Sequence, residues 1–248
     1  MDYEIVGLCE TGLKRKTNQD AVFWAKNSEA AICMVADGMG GHEHGEIASN
    51  LIRQTVAAYW DGFCLDHTPK ALRVILETIR CELQKANKTL YQKYGKTSVC
   101  GSTLVLLLCY LDQYGIICAG DSRVYRKKGF SFRQITVDDV WENQSGLSEE
   151  LRTDLSHPNR GKLVNAFGAD LDLRVRVVTN ELAGGEIFLI CSDGLYKMCP
   201  EKRIKAAMGK ARKGGDHMKL ALLDLKAKIE AAGARDNFSI IMLRTKKE

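Results

Sequence analysis

Cys33-Met34-Val35-Ala36 is an unbroken apolar run that ends on Asp37-Gly38, and the rest of the chain is read outward from it. A short apolar run closed by a turn signal is the pattern of a buried strand. After a single strand, Asp-Gly is a hairpin turn, because glycine tolerates the positive φ of tight turns. Here the pattern recurs. Phe188-Leu189-Ile190-Cys191-Ser192 runs into Asp193-Gly194, and Ile116-Ile117-Cys118-Ala119-Gly120 runs into Asp121. A carboxylate at the end of a buried strand is held rigidly, and several such ends in one fold can meet. Carboxylates that meet repel one another unless a divalent cation lies between them. The repetition therefore points to a hard-metal site.

On the N-terminal side of Asp37, Tyr3 to Leu8, Ala21 to Ala25 and Ala30 to Ala36 read as strands. On the other side, helical spacing predicts a helix over about Glu46 to Trp60. A longer one covers about Pro69 to Tyr94, with Thr68-Pro69 as N-cap and first turn. Strand patterns return over Leu104 to Tyr110, Gly115 to Ala119, Arg123 to Arg126 and Phe130 to Gln134. They resume near Leu173 to Val178 and Glu186 to Cys191. Pro200 to Ala211 and His217 to Ala232 are predicted helices, and Asn237 to Arg244 a last strand. Asp138 to Lys162 is polar and weakly periodic, the pattern of a mobile surface excursion. Helices in pairs, without regular strand–helix alternation, predict a layered α+β sandwich of mostly antiparallel strands. No repeat or linker divides the chain, so one domain over 1–248 is expected.

The 248 residues suffice for a substantial core, and 45% hydrophobic with 27% charged residues is ordinary globular composition. A net charge of +5 without long basic runs gives no indication of nucleic-acid binding. Arg126-Lys127-Lys128-Gly129 lies between strand-like runs and reads as a solvated hairpin tip. No signal peptide or membrane-length apolar segment is apparent, so a cytoplasmic protein without membrane contact is expected. The 9 cysteines form no CxxC pair, and Cys33, Cys109, Cys118 and Cys191 fall within predicted strands as reduced, core-filling thiols.

Gly12-Leu13-Lys14-Arg15-Lys16-Thr17-Asn18-Gln19-Asp20 resembles the opening motif of the metal-dependent type 2C protein serine/threonine phosphatases. Asp37-Gly38-Met39-Gly40-Gly41-His42 is similar to the bacterial form of their second motif, continued by Gly45-Glu46-Ile47-Ala48-Ser49. Gly101-Ser102-Thr103, Ala119-Gly120-Asp121-Ser122-Arg123, Ser192-Asp193-Gly194 and Asp236-Asn237 resemble the remaining blocks, in the family's order. The resemblance spans Tyr3 to Arg244. It implies a four-layer α-β-β-α sandwich of two mainly antiparallel sheets flanked by helix pairs, with a flap-like excursion at about 138–162.

The same resemblance implies a pair of Mg²⁺ or Mn²⁺ ions bridged by Asp37. The Gly38 carbonyl would serve one ion, Asp193 and Asp236 the other, with Asp20 completing the shell. An all-oxygen, water-rich set of this kind suits hard cations better than zinc. A water held by the ions would attack phosphorus without a phosphoenzyme. Arg15 corresponds to the arginine that grips phosphate, a task suited to its planar fork. Met39 stands where many eukaryotic relatives carry a histidine. His42 is the candidate proton donor, with His44 second and a water as the further alternative.

Two departures from the family pattern stand out. Relatives place an aspartate shortly after Asp193-Gly194 that joins the match of Asp121 at a third metal, and here Leu195-Tyr196-Lys197 follows. The expectation is that Lys197 pairs with Asp121 and leaves that third site weak or absent. In the flap, Asp138-Asp139-Val140-Trp141-Glu142-Asn143 replaces an Asp-His-Ser run, although His157-Pro158-Asn159-Arg160 is retained. The function implied is hydrolysis of phosphoserine and phosphothreonine in phosphorylated proteins, by a monomer opposing a bacterial serine/threonine kinase. The alternatives are a pseudophosphatase that only binds phosphoproteins, or a phosphatase of small phosphorylated metabolites.

Overall fold

The computed structural model describes residues 1–39, 45–66, 68–95 and 100–246. One sheet has the order β1 (Tyr3–Glu10), β11 (Phe238–Thr245), β10 (Ile187–Cys191), β7 (Arg123–Lys128), β8 (Ser131–Gln134). The other has β2 (Asp20–Lys26), β3 (Ala30–Met39), β5 (Leu104–Tyr110), β6 (Gln113–Ala119), β9 (Arg176–Glu181), with the short β4 (Gly101–Ser102) on β3. Every pairing in both is antiparallel.

Strand periodicity turns these sheets into four layers. Successive side chains of a strand face opposite sides. On β3, Ala30, Ile32, Met34 and Ala36 join a core with α1 (Gly45–Leu65) and α2 (Leu72–Tyr94). Ala31, Cys33 and Val35 face the other way, into a core shared with Phe188, Ile190, Ile241 and Leu243 of the opposite sheet. The outer face of that opposite sheet packs on α4 (Asp193–Tyr196), α5 (Glu201–Ala211) and α6 (Asp216–Ala231) through Tyr125, Leu189, Leu195, Met208 and Leu225. The result is the helix–sheet–sheet–helix sandwich expected. Among the described residues, no helix is long and apolar enough to cross a membrane.

Several details differ from the sequence reading. The second helix begins at Leu72 behind Ala71, with no side-chain cap, and Thr68 instead donates its backbone N–H to Asp66. The strand expected over Leu173 to Val178 is displaced to Arg176–Glu181, where it pairs along β6 from Cys118 to Gln113. Its polar outer residues carry no apolar signal, while Leu173 packs into the helix-side core. The excursion at 138–162 is tied down rather than free. It contains a 3-10 turn at Trp141–Asn143 and α3 (Glu149–Thr153), capped by Ser148. Trp141 stacks on His157 with ring centroids 3.8 Å apart, and Val140 bridges to Leu163. The basic hairpin is not solvated throughout. Arg126 and Lys128 lie 2.8 and 3.3 Å from the buried Glu186, and Lys127 is itself buried.

Candidate metal centre

The two-residue period that builds the inter-sheet core also delivers its acids. On β3, Asp37 continues the series Ala31, Cys33, Val35, and Asp20 lies directly opposite it in the β2–β3 register. Both carboxylates therefore lie on the face that looks between the sheets. On β10 and β11 the same periodicity brings Ser192 and Ser239 to the same end of the sandwich. Their hydroxyls donate to Asp20 Oδ2 at 2.8 and 2.7 Å. Asp193 opens α4 immediately after Ser192, and Asp236 lies two residues before the strand that carries Ser239.

Backbone contacts lock these ends together. Thr103 accepts the Asp37 N–H on its Oγ1 at 3.0 Å and donates its own N–H to the Asp37 carbonyl at 2.9 Å. Asn237 Oδ1 accepts the Gln19 N–H at 2.9 Å, and its Nδ2 donates to the carbonyls of Thr11 and Thr17 at 2.8 and 3.0 Å. That amide clips the loop carrying Arg15 against Asp236. Gly38 is required by space, since a Cβ there would overlap the carbonyl oxygens of Gln19 and Gly45.

The electrostatics record the convergence. Burial pushes Asp37 well above the usual carboxylate range, and the charges of Asp20, Asp193, Asp121 and Asp236 push it further. Burial raises Asp20 to about 6 against the pull of the two serine hydroxyls, with Asp193 adding to the rise. Asp121 is raised by burial and by Asp193. Among the described residues, the buried Asp20 Oδ1 has no hydrogen-bond donor. Only a proton shared with the neighbouring Asp37 carboxyl or a cation can satisfy it. Like charges directly opposite on adjacent strands are unfavourable, so an uncompensated Asp20–Asp37 pair is an expensive arrangement. The orphaned oxygen and the all-oxygen donor set fit a hard divalent ion.

As the side chains stand, no group of three His, Cys, Asp or Glu among the described residues is placed to hold a metal ion. Two of the acids are held by the chain's own cations. Arg15 forks onto Asp236, with Nε to Oδ1 at 2.8 Å and Nη2 to Oδ2 at 2.9 Å. Lys197 pairs with Asp193, one helical turn before it. This corrects the expected Lys197–Asp121 pair: residues i and i+4 of α4 share a face, whereas Asp121 lies on the loop after β6. Asp121 is bound instead by Tyr196, whose hydroxyl is 3.0 Å from Oδ2 and 3.1 Å from the Asp121 carbonyl. The Arg123 guanidinium lies 3.4 Å over the Tyr196 ring and is itself forked on Asp138, so a chain of contacts runs from the excursion to Asp121.

The structure thus brings Arg15, Asp20, Asp37, Gly38, Asp121, Asp193 and Asp236 to one end of the sandwich. His42 and His44 lie outside the described residues. Sequence reasoning assigned no task to Ser192, Ser239, Thr103 or Tyr196. Counting by two from Phe188 and from Leu243 reaches the two serines. Nothing in the sequence signals that the Tyr196 hydroxyl meets Asp121. Beside Met39, a cleft of about 520 Å³ opens between β3 and residues Leu163, Val164, Ala166, Asp170 and Arg174.

Residues 14–214 match the family model described as Protein phosphatase 2C. The serine/threonine phosphatase stp of Listeria welshimeri is 28% identical, over 94% of this chain and 92% of its own length. PppA of Pseudomonas aeruginosa, described as a key regulatory component of T6SS, superposes with a TM-score of 0.80. It is 29% identical and covers 98% of this chain and 97% of its own. The catalytic domain of PstP in complex with 2 manganese ions shares the fold at 23% identity and a TM-score of 0.77, covering 99% of each chain.

Proposed function

The chain belongs to the protein phosphatase 2C family of metal-dependent serine/threonine phosphatases, and from that premise we propose how its residues divide the work of hydrolysing phosphoproteins. When bound, two divalent ions, Mg²⁺ or Mn²⁺, supply a water of lowered pKa as the nucleophile for in-line attack on phosphorus. Asp37 and the Gly38 carbonyl would hold one ion, and Asp37 with Asp193 and Asp236 the other. Asp20, fixed by Ser192 and Ser239, would complete the shell around them. Arg15 leaves Asp236 to take two non-bridging phosphate oxygens in its fork, where it offsets negative charge in the transition state. His42 donates the proton that the leaving serine or threonine alkoxide needs. A third ion is disfavoured, because Tyr196 already occupies Asp121 and the Lys197 ammonium stands beside Asp193.

The observation that carries this reading is the convergence of the aspartates: Asp37 is raised by burial and by the charges of four others. Phosphoprotein substrates follow from the family, and the cleft beside Met39 is where the polypeptide flanking the phosphorylated residue would lie. The proposal includes a chain acting as one catalytic domain, a monomer in the cytoplasm, opposed by a cognate serine/threonine kinase, with no role for nucleic acid or membrane. The Lys197–Asp193 pair is the one feature that favours a pseudophosphatase, since a tethered cation could keep an ion out. Hydrolysis of p-nitrophenyl phosphate and of a phosphothreonine peptide with Mn²⁺, with chelator and in Asp193→Ala separates the readings. Activity on both substrates that chelator and substitution abolish is expected. Activity that survives chelator would overturn the metal mechanism, and none on either substrate would favour the pseudophosphatase.

A further inference from the structure

The outer face of α5 carries a second charged feature, remote in sequence from the aspartates. Along β7, Val124 faces the inter-sheet core and Tyr125 the helix side. Strand periodicity therefore turns Lys127 toward α5 rather than to solvent. Its side chain crosses Gly209: Cε is 3.8 Å from where a Cβ on that glycine would stand. Lys205, Gly209 and Arg212 lie on one stripe of the helix, so exposed cations flank the notch in which Lys127 is only 9% accessible. Phe132, the register partner of Lys127, walls the notch, with Lys205 Nζ 6.0 Å from its ring centroid. Lys127 Nζ donates to the Gly129 carbonyl at 3.0 Å, which leaves donors free, and among the described residues no carboxylate forms an ion pair with Lys127, Lys205 or Arg212. The nearby acid Glu186 is taken by Arg126 and Lys128, and Asp224 by Lys210 and Lys228. Burial and the charges of Lys205 and Arg212 both lower the pKa of Lys127. Glu201 lies one turn before Lys205 on α5 without forming an ion pair to it, and gathering like charges over a glycine floor with no paired acid is unfavourable in the free protein and favourable once an anion enters.

We propose that Lys127, Lys205 and Arg212 form an anion-binding notch that docks an acidic segment of a polypeptide, away from the metal centre. A carboxylate on a side chain can reach the recessed Lys127 ammonium, whereas the flat surface of a bilayer cannot. That the occupant is a polypeptide rests on the phosphatase reading, because phosphoproteins are what this enzyme meets.

The test uses the full chain, loaded with Mn²⁺, and a fluorescein-labelled octaglutamate peptide followed by anisotropy. Wild type should bind the peptide in a salt-dependent way. Lys205→Glu/Arg212→Glu should weaken binding at least tenfold, and Lys127→Met, which keeps the packing, should weaken it as well. A phosphothreonine peptide with an octaglutamate tail should show a lower KM than the untailed peptide in wild type but not in the variants, with kcat and p-nitrophenyl phosphate turnover unchanged. Absent peptide binding, binding indifferent to these substitutions, or binding to phosphatidylglycerol vesicles in its place would overturn the notch. Loss of p-nitrophenyl phosphate turnover in wild type would instead strike the phosphatase reading.

Discussion

Asp37 is the residue on which most of the site's cost falls, because it is buried and faces the charges of four other aspartates. Replacing it with Asn removes one like charge without changing shape. Chelated Asp37→Asn should therefore melt several degrees above chelated wild type, since about 1 kcal/mol shifts Tm by roughly 2–4 °C at this size. With Mn²⁺ the order should reverse, because ions that bind only the folded state stabilise wild type by mass action. Paired melting curves with chelator and with Mn²⁺ check both statements. On the proposed division of work, Arg15 acts on phosphate rather than on the ions. Arg15→Ala should raise KM for phosphate esters and lower kcat while leaving the Mn²⁺ titration nearly unchanged, and Arg15→Lys should recover only part of the loss. Steady-state kinetics beside calorimetry separate those outcomes. Lys197 is paired with Asp193; if Asp193 holds an ion as proposed, Lys197→Ala should tighten Mn²⁺ binding several-fold in the same calorimeter. Weaker binding would show that the ammonium supports the site instead.

Among the elements, strands were the easiest to read and also the best guide to the site. Asp37, Asp121 and Asp193 each follow an apolar run, and for Asp37 the strand's period of two also sets the face it presents between the sheets. Asp20, Asp236 and Arg15 carry no such local signal and were legible only through the resemblance of their motifs. Tyr196 on Asp121 and Lys127 against α5 are tertiary contacts, which no local pattern encodes. The basic hairpin was misread because its balancing charge, Glu186, lies on the chain before β10 and far away in sequence. That contact predicts a pH effect. Burial alone would raise Glu186, but the Arg126 hydrogen bond and the Lys128 charge hold it below its ordinary value of 4.5. A depressed carboxylate contributes stability that is present above its unfolded pKa and lost as pH falls through the folded one. Glu186→Gln should therefore cost on the order of 2 kcal/mol at neutral pH. The gap from wild type should close as the pH falls below 4.5. Denaturant melts at pH 7 and pH 3.5 measure that gap, and a gap that stays constant would remove Glu186 from the acid response.

At the scale of the molecule, the sandwich is a device for bringing distant acids to one edge. Its two sheets face each other through Cys33, Val35, Phe188, Ile190, Ile241 and Leu243, and the strand ends beyond that core carry the carboxylates. Hydrophobic burial between the sheets and beneath both helix layers is what holds like charges together until ions arrive. The catalytic centre is therefore stabilised from outside itself. The most direct test is a calorimetric titration of the metal-free chain with Mn²⁺, in wild type and in Asp37→Asn, at a pH where the carboxylates ionise. Wild type should take up two ions per chain, as the PstP catalytic domain holds 2 manganese ions, and Asp37→Asn should lose that stoichiometry together with phosphatase activity. Equal Mn²⁺ uptake by both proteins, or none by wild type, would contradict the account.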